Sequence, residues 1–347
     1  MSLKLFWHKL IHWEYWPLRV IYYPLFPVWL YLSIKARSFF FFNAANPSMK
    51  NGGMAMESKM DIYQKIASKF IPKTILIQKG TAFTTIIDKI RQKNIEFPCI
   101  AKPDVGMKSF GVEKIYSENQ LKNYLNKNPF DFLIQELIPY TNEVGVFYIR
   151  MPNDKKGKIS GIVHKDFLAV TGDGTSTLTQ LIKKDPRSHM QLKKLRHSIG
   201  EEGLQKVLDK GERYVLVPYG SHTRGAKFVD VTHKNNPQLE ELMNHVCTQI
   251  DGFYYGRLDI LYDTFEDLSL GKNFSIIEVN GAGSEATHIY DPKHSLFFAW
   301  REIIKHWSYL CTISIENHKK GYPYLSYKAG KEMLKLHNEH EARIQII

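Results

Sequence analysis

The chain's 347 residues leave room for two packed subdomains, its ordinary apolar and charged fractions argue against wholesale disorder, and its formal net charge is +12. The positive excess favours anionic partners such as nucleotides or acidic lipids, but the basic residues are scattered and match no zinc-finger, RNP or basic-helix spacing, so nucleic acid is not an expected partner. Three distant cysteines, Cys99, Cys247 and Cys311, argue against a disulfide framework and a Cys-based zinc site and fit a reducing compartment.

Residues 1 to about 47 have a composition of their own. Trp7, Trp13, Trp16 and Trp29 fall here, with Tyr15, Tyr22, Tyr23, Tyr31 and the run Phe39 to Phe42. The uncharged stretch Val20 to Ile34 contains Pro24 and Pro27 and is flanked by Lys4, Lys9 and Arg19 on one side and Lys35 and Arg37 on the other. A cleaved signal peptide does not fit, because Glu14 and Arg19 interrupt the apolar region and no small-residue cleavage site follows. A membrane span needs about 20 apolar residues, and this run is shorter and twice broken by proline. Tryptophan and tyrosine favour the headgroup level and lysine and arginine are drawn to anionic lipid, so the expected reading is an arm whose residues 1–42 contact a membrane surface. An aromatic arm packed on the protein's own core is the alternative.

After a Pro/Ser/Gly/Asn-rich connector (Asn46 to Gly53), apolar spacing predicts a helix over Met54 to Phe70, with Met60, Ile62, Tyr63, Ile66 and Ala67 on one face. Thr74 to Gln78 reads as a strand, Thr84 to Lys93 as a helix, and Phe97 to Lys102 as a strand ended by Pro103. The loop Asp104 to Gly111 enters a strand at Val112 to Tyr116, a helix follows the cap Ser117, and Phe132 to Ile138 is again a strand. Further strands are expected at Glu143 to Met151, Lys158 to Ala169, Arg213 to Val217, Lys227 to Val231, Gly256 to Tyr262 and Phe274 to Asn280. Helices are expected after the turn Gly172 to Thr177, at Pro237 to Gln249 and at Leu296 to Tyr309, and the polar C-terminal tail, with His337 and His340, reads as solvated surface. Helices mixed with hairpin strands give an α+β class.

Three segments carry chemistry. In Gly256 to Tyr262 and Phe274 to Asn280, alternate side chains share a face, so Arg257 and Asp259 point one way with Leu258 and Ile260 behind, and Glu278 and Asn280 share a face with Ile277 and Val279 behind. A hairpin through Asp263 to Lys272 would join the two polar faces. Oxygen-only ligands there select a hard cation, typically magnesium where phosphate is also met. A solvated ion pair on a sheet face is the plain alternative. Lys102 ends a strand before a glycine-bearing loop, Val105 to Val112, whose backbone amides and lysine suit phosphate oxygens without forming a Walker loop. Gln135 to Ile138, with Glu143 following, is an apolar strand turning polar, able to offer backbone groups to a base and a carboxylate to hydroxyls.

In this order the three segments resemble the ATP-grasp superfamily, most closely its D-alanine–D-alanine ligase-like branch, over about Met54 to Tyr309. Gly172 to Ile182, Thr223 to Ala226 and Asp230 to Thr232 resemble segments of cyanophycin synthetase and related amino-acid ligases. The resemblance implies an ATP-grasp fold, two α/β subdomains clasping ATP, divided as an aromatic arm (1–47), an N-terminal subdomain with a phosphate-covering loop (48–138), a C-terminal subdomain with a metal site (139–315) and a polar tail (316–347). It implies that Lys59 and Lys102 contact ATP phosphates, that the mobile loop carries Gly106, Lys108, Ser109 and Gly111, and that Lys165 lies near the γ-phosphate. Glu136, Leu137 and Ile138 match the adenine hinge, Glu143 the ribose ligand, and Asp259, Glu278 and Asn280 the ligands of one or two Mg2+ ions, with Mn2+ as a substitute. Arg257 matches the arginine that steadies the reaction intermediate.

The implied activity is carboxylate–amine ligation through an acyl-phosphate, with an unidentified acid and amine as substrates and the protein cytoplasmic, peripheral at the inner face of the membrane. Two departures argue against D-alanyl-D-alanine synthesis: the aromatic arm replaces a globular N-terminal domain, and Ile289 stands where those ligases place a substrate-binding serine. The alternatives are an ATP-binding regulatory module without catalysis and an ATP-grasp phosphotransferase, for which His288 would be the acceptor.

Overall fold

A computed structural model describes residues 3–106 and 110–345. Two antiparallel sheets form the frame. The first is built from β1 (Thr74–Ile77), β2 (Cys99–Pro103), β3 (Glu113–Ile115) and β4 (Phe132–Glu136), ordered β1-β4-β2-β3. Helices Phe83–Gln92 and Glu118–Lys127 cover one face of it, the second capped by the Ser117 hydroxyl, which accepts from Gln120 N. Ile77, Ile86, Ile90, Leu121, Tyr124 and Phe132 fill the layer between.

The chain then forms β5 (Asn142–Ile149), β6 (Lys158–Asp166), the short pair β7 (Ala169–Thr171) and β8 (Arg213–Val215), and β9 (Lys227–Asp230), β10 (Tyr255–Tyr262) and β11 (Phe274–Asn280). The second large sheet has the order β11-β10-β5-β6-β9. Its alternation sends Val144, Val146, Leu258 and Ile260 into a core closed by helix Pro237–Cys247. Phe147, Val163 and Tyr255 project from the opposite face, where the N-terminal arm and the long helix Leu296–Lys319 cover them. Glu143, Lys165, Arg257 and Asp259 continue that face as a polar floor.

The β7–β8 pair and helices Leu178–Lys184 and Pro186–Leu204 form a satellite unit around Leu178, Ile182, Leu195 and Leu208. The Gly172 to Thr177 turn serves its construction. Asp173 accepts from the amides of Thr175 and Ser176, and Thr177 forms a capping box with Gln180. Thr232 and His294 take the two carboxylate oxygens of Asp230, so that segment too organises structure.

Three expected elements take a different form. The Met54 to Phe70 helix is reduced to Lys59–Tyr63 and a 3-10 turn at Ser68–Phe70. Tertiary bonds override the periodicity: Gly52 O and Gly53 O accept from Ala282 N and Gly283 N, and Met60 N donates to Asp104 Oδ1. A Cβ on Gly53 would stand 2.6 Å from Gly281 Cα, so only glycine admits this close crossing. The Lys158 to Ala169 strand divides after Asp166, because Ala169 pairs with Val215 in the satellite unit and leaves the main sheet. Helix Leu296–Lys319 runs ten residues past Tyr309 (319 − 309), held by Asn317 Nδ2, which donates to Ala44 O at 2.8 Å.

The C-terminal segment is helical over Tyr327–Ile344. Gly330 packs on the Phe40 ring, His340 Nε2 lies 2.8 Å from Val105 O, and Ile344 is buried. Contrary to the solvated-surface expectation, His340 therefore contacts the loop after β2. The three cysteines are free and buried.

Candidate active site

A cleft of about 1160 Å³ lies between the two large sheets, with the satellite unit and the arm completing its walls. Sheet pairing assembles its polar floor. Arg257 pairs with Asn280 and Asp259 with Glu278 across β10 and β11, so the expected hairpin does join the two polar faces. Leu258, Ile260 and Val279 are buried behind as expected, but Ile277 is not. A register shift after Asp259 pairs Ile260 with Ile276, leaving Ile277 as the extra residue of a bulge that turns towards the cleft. The Ile277 carbonyl accepts from Tyr63 OH and from Lys102 Nζ.

Asp259 is 2% exposed and accepts at Oδ1 from Arg257 Nε (2.8 Å) and Lys165 Nζ (3.0 Å), and at Oδ2 from Arg257 Nη2 (3.1 Å). Burial works against this carboxylate, yet the two cations outweigh it and bring its pKa down to about 2. Lys165 also meets Glu143 Oε1 at 2.6 Å. Burial disfavours its charge, but Asp259 and Glu143 together raise its pKa, whereas burial prevails at Glu143 and pushes that carboxyl up. Arg257 Nη1 donates to Glu285 O, and Gly145 leaves room for the pair: a Cβ there would sit 2.9 Å from Arg257 Cδ.

The upper wall carries the other lysines. Lys59 opens its helix and reaches Gly106 O (3.0 Å), Asp104 O (3.3 Å) and Glu278 Oε1 (3.6 Å). Lys102, on β2, is held by Gln135 Oε1 (3.0 Å) and Tyr63 OH (3.1 Å), and burial lowers its pKa to about 8 against the opposing pull of Glu278 and Asp104. Gly106, Leu137, Ile138 and Glu136 also line the cleft, with Glu136 Oε1 accepting from Lys73 N. Gly111 does not line it; its φ of +67° and carbonyl, which accepts from Tyr124 OH, mark a turn. Lys108 and Ser109 lie outside the described residues.

Several contacts had no signal in the sequence pattern. Gln135 and Tyr63 hold Lys102, and Gly220 brings the satellite unit onto the floor, since a Cβ there would lie 2.4 Å from Glu143 Oε2. Glu14 of the arm, buried, binds Arg187 (2.8 Å) and His222 (3.1 Å) of the satellite unit, and Tyr22 OH binds Glu285. Each joins segments distant in sequence, so spacing does not reveal it.

Among the described residues no cluster of three or more His, Cys, Asp or Glu side chains could hold a metal ion. The expected set differs in including an amide: Asp259, Glu278 and Asn280 offer only oxygen ligands, with Asn280 Nδ2 at 3.5 Å from Asp259 Oδ2 in the present amide orientation. The donor chemistry fits a hard cation, and an ion would compete with Arg257 and Lys165 for Asp259.

No family model and no curated protein matches the chain. Among solved structures it is similar to a bifunctional glutathione synthetase from Pasteurella multocida, at 12% identity and a TM-score of 0.41, over 74% of this chain and 38% of that one. It is also similar to the VanG D-Ala:D-Ser ligase from Enterococcus faecalis, at 12% identity and a TM-score of 0.43, over 75% of this chain and 62% of that one. The chain therefore spans less than two thirds of the length of either. The architecture itself is α+β, two antiparallel sheets clasping a cleft, as expected of an ATP-grasp fold.

Proposed function

We propose that this protein is an ATP-dependent carboxylate–amine ligase working through an acyl-phosphate. One observation carries the reading: Lys59, Lys102, Lys165 and Arg257 converge with Asp259 and Glu278 in a single cleft between two sheets. ATP would lie with its base at Glu136 to Ile138, its ribose towards Glu143 and its phosphates between Lys59, Lys102 and Lys165. Mg2+ held by Asp259, Glu278 and Asn280 would supply neutralisation of phosphate charge.

A substrate carboxylate oxygen attacks the γ-phosphorus, the bond to the bridging oxygen breaks, and ADP leaves. The amine nitrogen then attacks the acyl carbon, the carbon–oxygen bond to phosphate breaks, and inorganic phosphate departs as the nitrogen loses its proton. Arg257 faces the negative charge that develops on the carbonyl oxygen. The loop from Asp104 to Gly111, touched by Lys59 and His340, excludes water that would hydrolyse the acyl-phosphate. We extend the reading to a protein peripheral to the inner face of a membrane, with one substrate carried there, because the arm supplies part of the cleft wall.

The phosphotransferase alternative draws no support from His288. Its ring is buried against Gly161 and Phe298, with Nε2 3.8 Å from Glu302, and it does not line the cleft.

ATP turnover, with ADP and phosphate followed separately against panels of amino acids, peptides and lipid extracts, tests the ligase. ADP and free phosphate should appear only when an acid and an amine are both present. Nucleotide binding without turnover under any condition would overturn the reading in favour of a regulatory module.

Lys102 adds a pH signature. Below about pH 8 it is charged and attracts phosphate, so nucleotide affinity should weaken as pH rises through about 8 in titration calorimetry, and Lys102→Met should flatten that limb. Stability moves the opposite way: because its folded pKa lies below the unfolded value near 10.4, the unfolded chain binds more protons between the two values. Burying this lysine therefore costs stability at low pH, a cost relieved as pH rises past about 8.

A further inference from the structure

The arm has two unlike faces. Its inner side belongs to the protein: Ile21, Leu25, Leu32 and Phe40 to Phe42 are buried in one core with helix Leu296–Lys319, and Trp300 Nε1 donates to Ile21 O. Lys9, Tyr15, Trp16 and Leu18 line the cleft. Its outer side leaves Leu3, Trp7, Ile11, Tyr23, Tyr31 and Ile34 exposed, the last at 76%. Phe297, 77% exposed and packed edge-on against Trp300, extends this surface from the neighbouring helix. Monomeric proteins rarely expose so many large apolar side chains in one short stretch without a partner for them.

Charge identifies the occupant. Glu14 is the only acidic residue before Glu57, and it is buried against Arg187 and His222. The side chains of Lys9, Arg19, Lys35 and Arg37 are all exposed, so the charges this segment displays are positive. Apolar and aromatic side chains interleaved with cations, with no exposed carboxylate, complement an anionic bilayer surface, where indole and phenol rings settle among the headgroups and each cation adds about 1 kcal/mol. None of the described helices is long and apolar enough to cross a membrane, so the contact would be interfacial.

We propose that the outer face of residues 3–39, continued by Phe297, docks on an anionic lipid surface and presents the arm-lined end of the cleft to the headgroup layer, where a lipid-borne acid or amine enters. The identity of that cargo rests on the ligase reading; the docking does not.

The test is co-sedimentation of the full chain with vesicles of phosphatidylglycerol and phosphatidylcholine in equal parts, and with phosphatidylcholine alone, over a range of salt. Nucleotide binding is measured on the same preparations. The chain should pellet with the anionic vesicles, about tenfold less with neutral ones, and less as salt screens the cations. The double variant Tyr23→Glu/Ile34→Glu alters two exposed side chains, so it should keep its melting temperature and nucleotide binding while losing about tenfold or more of its partition. A chain that stays in the supernatant with anionic vesicles at low salt overturns the proposal, as does equal pelleting of the double variant. Light scattering showing a dimer that the double variant abolishes, without vesicle binding, assigns the face to a second copy and overturns it equally. Vesicle binding without any ATP turnover would retain the docking and remove only the ligase.

Discussion

Glu278→Gln is expected to lower ATP turnover by about a hundredfold or more with the melting temperature unchanged, whereas Asp259→Asn is expected to lower both. The sequence presents the two carboxylates as equivalent, but the fold separates them. The Glu278 side chain is 30% exposed and its ion pair with Lys59 spans 3.6 Å, a contact worth about 0–1 kcal/mol. Asp259 is buried between two cations, and neutralising it leaves Arg257 without its carboxylate partner and Lys165 with Glu143 alone. Breaking such a buried pair costs about 3–5 kcal/mol.

The pH dependence of that cost follows from the lowered pKa of Asp259, about 2. Its stabilisation is present above the unfolded value near 3.9 and is lost as pH falls through about 2, so the deficit of Asp259→Asn against the wild type should shrink across that window. Thermal unfolding at neutral and acid pH, alongside turnover, checks both halves. Full turnover in Glu278→Gln would remove Glu278 from the machinery, and an unchanged melting temperature in Asp259→Asn would contradict the buried network.

The legible parts of the molecule were those where local pattern and tertiary demand agree. Alternation in β10, and in β11 beyond the bulge at Ile277, placed Arg257, Asp259, Glu278 and Asn280 on one side because the other side, Leu258, Ile260 and Val279, had to be buried. Ser117 and the Ile86, Ile87, Ile90 stripe announced their helices through capping and periodicity. Contacts closed by distant segments were not legible. Nothing local to Ile277 signals that its carbonyl will serve Lys102 from the other sheet, or that a bulge will expose it. The helix expected from Met54 is cut short because Gly52 and Gly53, just before it, give their carbonyls to Ala282 and Gly283, and within it Lys59 N and Met60 N are given to Asp104. The polar tail carried no chemical motif, yet it packs as a helix from Phe40 to Val105, so its information lay in where it docks.

Phe41→Ala is the second large effect, and it addresses the arm from its inner side. Phe41 is 0% exposed, stacked on Trp29 with ring centroids 4.9 Å apart, in the core shared with Leu310, Cys311 and Ile313. Truncating a buried phenylalanine costs about 3–5 kcal/mol, a large part of the roughly 5–15 kcal/mol that holds a domain together. A fall of roughly 4–7 °C in melting temperature is expected for a chain of this size. An arm that served only as a detachable anchor would give the opposite pattern, with Phe41→Ala changing vesicle binding and leaving the thermal transition in place. The two faces therefore separate experimentally. Substitution at Tyr23 or Ile34 reads the surface, and substitution at Phe41 reads the core on which that surface is mounted. Because Glu14 ties the arm to Arg187 and His222 while Tyr22 ties it to Glu285 beside Arg257, loosening the arm at Phe41 should also lower turnover at temperatures where the protein remains folded.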